Sequence, residues 1–214
     1  MKRIFLLVAA LVLAAFLPGC AALPPAGNTV TPVELKGREE LIARAASDKM
    51  FVFDYHVDDS YAGLTAWVEV YRFGKKADKP SAVLETPDLP IGNGTIIFST
   101  SRQTDLPDHQ PMLGIMLASR EESGQDQAYS SITQDDCIDD YPHDAKKSFK
   151  AWDMNGGGTI PPSGKMVLGA LLFTNGSALS GLSREFYENY EEHLDTIEEV
   201  DAVYVLGCTF TKKP

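Results

Sequence analysis

Apolar and polar positions alternate along much of this chain. From Met50 to Val57, Phe51, Phe53, Tyr55 and Val57 fall on one side, with Asp54 and His56 on the other. Successive strand side chains point to opposite faces, so this pattern predicts a half-buried strand. Leu64–Phe73 is apolar on both faces except for Glu69 and Arg72, which predicts a central strand ended by Gly74-Lys75-Lys76. A weaker edge strand is expected over Ser81–Glu85, then strands over Thr95–Ser101 and Met112–Ser119 after a turn at Gly92-Asn93-Gly94. Met166–Phe173 is a nearly continuous apolar run and predicts a buried strand. Ala202–Thr211 is the last, with Tyr204, Leu206, Cys208 and Phe210 sharing one face.

Two segments change period. Over residues 34–47, Leu35, Leu41, Ile42 and Ala45 recur at near-helical spacing, with Glu39 and Glu40 early and Arg44 late, which predicts a short helix. Ser183–Glu199 carries Phe186, Tyr190, Leu194 and Ile197 at spacings of four, four and three among many glutamates, the pattern of an amphipathic helix. Between the strands, Arg120–Met154 is polar, acidic and too long for an ordinary connection. It predicts an exposed excursion over about residues 120–160, with a strand near Ala128–Thr133. No βαβ alternation and no internal repeat is visible. The expected fold is mainly β: an antiparallel immunoglobulin-like β-sandwich with one or two peripheral helices, in a single domain over residues 34–214.

The first twenty residues follow a different rule. Lys2 and Arg3 precede an uninterrupted apolar run, Ile4–Phe16, the layout of a secretory signal and too short for a comfortable membrane span. Leu17-Pro18-Gly19-Cys20 then matches a bacterial lipobox. Residues 1–19 are thus read as a lipoprotein signal peptide. Cys20 is the expected lipidation site, its thiol carrying diacylglycerol with palmitate-type chains, and two or more chains anchor stably where one does not. Residues 20–33 read as the lipidated cysteine and a flexible tether. Extended at about 3.3 Å per residue, a dozen residues reach about 40 Å. The expected address is the cell membrane, lipid-anchored, on the extracytoplasmic face.

Charge narrows the partners. Removing Lys2 and Arg3 with the leader leaves 17 basic residues against 30 acidic ones, a net charge of −13 for the mature chain. Such a surface repels phosphate backbones, and no basic stripe offsets it, so nucleic acid is not expected as a partner. Cys137 and Cys208 remain once Cys20 is lipidated, and one disulfide is formally open to an exported chain. The shared face with Tyr204, Leu206 and Phe210 instead makes Cys208 a buried small hydrophobe, and Cys137 sits in an acidic loop.

Candidate chemistry is sparse. Asp135, Asp136, Asp139 and Asp140, with Asp144 nearby, offer carboxylates to a hard cation such as calcium; the bland reading is a solvated acidic loop, and no cofactor is otherwise expected. Asp54, Asp58 and Asp59 form a weaker acidic set. Asp153 to Ile160 resembles the opening of an EF-hand loop. However, Gly157 and Gly164 stand where side-chain ligands are needed, and Pro161-Pro162 blocks the exiting helix. His56, His109, His143 and His193 are scattered without a zinc spacing. Cys137 and His143 as a nucleophile pair would sit in a ring of aspartates, the wrong field for a thiolate. Trp67 and Tyr71 lie four apart on one strand face, which suits either a ligand platform or core packing.

Trp67-Val-Glu69-Val-Tyr71-Arg-Phe-Gly74-Lys75, preceded by Phe51-Val-Phe53-Asp-Tyr55 and closed by Val203-Tyr204-Val205-Leu206-Gly-Cys208-Thr-Phe210, resembles small lipoproteins of Gram-positive bacteria. The likeness covers residues 34–211, firm at both ends and weak in the acidic middle. It implies an immunoglobulin-like sandwich outside the cell membrane and brings no catalytic residues. The expected role is a monomeric, non-enzymatic binding domain for an envelope protein or glycan, with residues 120–160 as the contact surface. Two alternatives stand beside it: a calcium- or small-ligand-binding module using the acidic loop, and an envelope hydrolase whose site assembles only in three dimensions.

Overall fold

The alternating segments form strands, all paired antiparallel. A computed structural model of the chain describes residues 27–77, 82–86, 92–102, 111–120, 126–133, 149–174 and 181–214. The leader with Leu17, Pro18, Gly19 and Cys20 lies outside these residues. So does the acidic run holding Asp135, Asp136, Cys137, Asp139, Asp140, His143 and Asp144, and so does His109.

In chain order the strands begin with β1 (Thr29–Pro32), β2 (Lys49–Val57), β3 (Tyr61–Arg72), β4 (Lys75–Lys76), β5 (Ala82–Thr86) and β6 (Gly92–Arg102). They continue with β7 (Pro111–Arg120), β8 (Asp126–Thr133), β9 (Phe149–Met154), β10 (Gly158–Thr159), β11 (Lys165–Thr174) and β12 (Ala202–Lys212). One sheet runs β10-β1-β2-β6-β7-β8; the other runs β4-β3-β12-β11-β9, with β5 also paired to β3. The mainly-β antiparallel sandwich expected from the alternation is what the chain forms.

The core between the sheets takes one face of each strand. Phe51, Phe53, Tyr55 and Val57 of β2 meet Leu64, Ala66, Val68 and Val70 of β3, together with Tyr204, Leu206, Cys208 and Phe210 of β12. Tyr55 and Tyr61 both meet Phe210 edge-on, with centroids 5.6 and 5.8 Å away. A second apolar layer explains why β3 reads as apolar on both faces. Trp67, Tyr71, Val203 and Val205 point out of the sandwich and are covered by Phe186, Tyr190, Ile197 and Val200. In β11 the register to β12 shifts between Val167 and Gly169. The extra residue, Leu168, itself faces inward, with Met166 inward before the shift and Leu171 and Phe173 inward after it.

Four expectations need correction. The first helix, α1, is Arg38–Ala46 rather than 34–47. Its buried contact is Ala43, while Leu41 and Ile42 stand 69% and 61% exposed. A small residue lets this short helix lie close to β2, and the larger side chains turn to solvent. The 183–199 helix is broken: α2 covers Arg184–Glu188, and two 3-10 turns follow at Tyr190–Glu192 and Leu194–Ile197. Phe186, Tyr190 and Ile197 nonetheless all face the core. The folded region begins before residue 34, since Thr29–Pro32 is a strand held by both β2 and β10. Finally, the acidic excursion contains β8, at the expected place, and β9, which was not expected. Among the described residues, no helix is long and apolar enough to cross a membrane.

Candidate functional site

β9 is the end strand of its sheet, and this decides what its side chains meet. Trp152 pairs with Leu171 and Met154 with Gly169. Leu171 belongs to the core between the sheets, so Trp152 and Met154 lie on that inward face. At the edge of the sandwich the facing sheet covers them only in part. Trp152 is 55% and Met154 43% exposed. Lys49, at the start of β2, holds its Nζ 3.3 Å from the centroid of the Trp152 ring and 5.9 Å from that of Phe51. Burial, with the nearby Arg44 charge, lowers the Lys49 pKa. Between α1 and β9 runs a groove of about 410 Å³, its apolar walls including Val33, Ala43, Met50, Val52, Trp152 and Met154.

On the outer side of the same edge, a larger cleft of about 860 Å³ opens between the β9–β10 turn and α2. Its polar walls are Asp153, Asn155, Lys165, Arg184, Tyr187 and Glu188, and Met154 lines it as well. The cleft and the groove therefore meet at Met154. The turn is locked by its own side chains. Asp153 Oδ1 accepts from the Met154 amide (2.9 Å) and Oδ2 from the Leu182 amide (3.0 Å), tying β9 to the start of the covering segment. Asn155 Nδ2 donates to the Val167 carbonyl (2.8 Å), and its Oδ1 accepts from the Gly157 amide (3.2 Å). Burial, reinforced by the Asp153 charge, pushes the Tyr187 phenol well above its ordinary value. Its hydroxyl is buried beside that carboxylate.

A charged network borders the cleft. Tyr190 Oη donates to Glu69 Oε2 (2.7 Å), and so does Tyr71 Oη (2.9 Å). Lys76 Nζ lies 2.8 Å from Glu69 Oε1. Lys165 Nζ donates to Tyr190 Oη (2.9 Å) and to Glu191 Oε1 (2.7 Å), and stands 4.9 Å over the Tyr190 ring. Burial, then the hydrogen bond to Glu69, raises the Tyr190 phenol. Solvent-facing pairs such as Arg44–Glu40 and Arg184–Glu188 contribute only about 0.3–0.5 kcal/mol each.

The sequence candidates land as follows. Trp67 and Tyr71 are not an open platform: they are 7% and 2% exposed beneath Tyr190, whose ring centroid is 6.1 and 6.0 Å from theirs. Trp67 Nε1 donates to Thr209 Oγ1 (3.0 Å). The second apolar layer, not a ligand, covers them. The EF-hand likeness dissolves because Asp153 and Asn155 bind backbone amides. Asp58 is held down to about 2 by hydrogen bonds from Ser60 and Asn28, and Asp54 accepts from Thr95. Cys208 is fully buried with a free thiol, which burial pushes up. Among the described residues, no three of His, Cys, Asp and Glu converge on one point.

Sequence reasoning missed Trp152, weighing only the other of the two tryptophans. The available signal was Trp152-Asp153-Met154, a short alternation hidden inside a stretch judged by its acidic residues.

The YgaN domain family model matches residues 29–210, from the first residue of β1 into β12. No curated protein and no solved structure matches the chain.

Proposed function

The chain belongs to the YgaN domain family, and we propose that it is a lipid-anchored, extracytoplasmic binding module. It works without catalysis, and the Trp152–Met154 edge is its contact site. The observation that carries the binding half is the exposure of two large apolar side chains where two recesses meet. Monomeric surfaces expose single apolar residues freely, but an aromatic beside a cleft of ligand size is the usual form of a binding site. The walls support binding rather than chemistry: Asp153 and Asn155 hold the turn in place and poise no nucleophile. The lipobox ending at Cys20 supports the address, and only eight residues separate Cys20 from Thr29.

Fractionation tests this reading. The full chain should incorporate labelled palmitate, sediment with membranes and be cleaved by protease added to intact cells. Cys20→Ser should lose the label and leave the mature membrane-bound form. A Cys20→Ser chain processed and fractionated like the original would remove the address. An unlabelled chain protected from external protease would remove it too.

A further inference from the structure

The chemistry of the two recesses names a ligand class. We propose that the groove and the cleft joined at Met154 form one site for a neutral carbohydrate chain, with a sugar ring stacked on the free face of Trp152 and the next units passing Met154 into the cleft. This rests on the reading of that edge as a binding site.

The indole comes first. An aromatic ring has two faces, and the Lys49 ammonium occupies one at 3.3 Å from the centroid. The exposure of Trp152 therefore belongs mainly to the other face. A second cation there would be repelled by Lys49, and an anion would meet the negative face of the ring quadrupole. The weakly positive C–H groups on one face of a pyranose ring suit that surface, since they are neutral, flat and partly apolar.

The cleft makes a matching selection. Its charged walls balance, with Asp153 and Glu188 against Lys165 and Arg184, so the walls themselves favour neither sign of ligand charge. Donors and acceptors stand together. Sugar hydroxyls both donate and accept, and so pair with either kind. Met154, Met166, Val167 and Leu182 supply apolar wall between them. At about 860 Å³, the cleft falls within the usual range for ligand sites of roughly 300–1,000 Å³. At the scale of the molecule, the excess of acidic residues opposes polyanions such as uronates and phosphodiester polymers.

Tryptophan emission reads the proposal directly. The chain has two tryptophans; Trp67 is buried and Trp152 is open to solvent. The full chain in detergent micelles is titrated with neutral tetrasaccharides of glucose, mannose and N-acetylglucosamine units. A galacturonate tetramer and an uncharged aromatic tetrapeptide are titrated in parallel. At least one neutral sugar should give a saturable blue shift, and Trp152→Ala should weaken its binding about tenfold, the scale of one lost ring contact. Trp152→Tyr should retain most of the affinity. Arg184→Ala, in the cleft, should weaken binding while leaving the shift in place.

The carbohydrate is ruled out if no neutral sugar moves the emission, or if Trp152→Ala binds sugar unchanged. Trp152-dependent binding of the uronate or the peptide alone would also rule it out, while leaving the edge standing as a binding site. Silence toward every probe, with no effect of Trp152→Ala on retention of envelope material, would remove both.

Discussion

Glu69 keeps a carboxylate in a place that is mostly closed to water, its side chain 15% exposed. Burial acts to raise its pKa, but Lys76, Tyr190 and Tyr71 together hold it below the ordinary value of 4.5. A depressed folded pKa means that the unfolded chain binds the proton more readily. The stabilisation is therefore complete above about pH 4.5 and is lost as pH falls through the lower folded value. Glu69→Gln should destabilise the protein by about 1–3 kcal/mol at neutral pH, the cost of a weakened buried charged network. Urea midpoints at pH 7 and pH 3 should show the gap to the original chain narrowing on acidification; a gap independent of pH would contradict this account. Cys208 makes a simpler case. In a Cys20→Ser, Cys137→Ser chain, its thiol should resist an aromatic disulfide reagent at pH 8 until denaturant is added, because burial both hides it and disfavours the thiolate. Prompt labelling would place Cys208 outside the core. Its burial was legible because Tyr204, Leu206 and Phe210 share its face. Trp152 was not legible: alternation assigns a residue to a face but does not tell whether another strand covers that face.

At the scale of elements, β12 and β3 are fitted to each other by a glycine. Gly207 lies opposite Trp67, and a Cβ at Gly207 would overlap the indole ring. Gly207→Ala should therefore push Trp67 off its place against Tyr190. A loss of about 1–3 kcal/mol, typical of overpacking, should appear in thermal unfolding together with a shift in the emission of the buried tryptophan. An unchanged melting temperature would mean that the second apolar layer is slack. The strands themselves could be read from the sequence, since period two survives wherever one face is buried. The helices fared worse, for different reasons. In α1 the apolar spacing pointed to Leu41 and Ile42, whereas close approach to β2 selected Ala43. In the 183–200 segment the inward residues were right and the helix was wrong. Asn189 leaves helical geometry after α2, and 3-10 turns carry Tyr190 and Ile197 down onto the sheet. β9 escaped notice because six residues of a strand lie behind a long acidic run.

Among the described residues, the molecule is a sandwich with one outer face roofed over and one side edge left open. The roof accounts for Trp67 and Tyr71, whose spacing suited either a ligand platform or core packing, and it makes them core. The open edge puts Trp152 and Met154 at the junction of two recesses, inside the 120–160 region expected to make contacts. Sheet order created that edge, and sheet order is a property of long-range pairing that local pattern does not encode. The central claim is that this edge is the working face of an anchored binding module. Photo-cross-linking in living cells tests it most directly, with a benzophenone side chain placed at position 152 or at Met116, which is 39% exposed on the far sheet. The account predicts adducts from position 152 and little from 116. Equal yields from the two positions, or adducts from 116 alone, would contradict it.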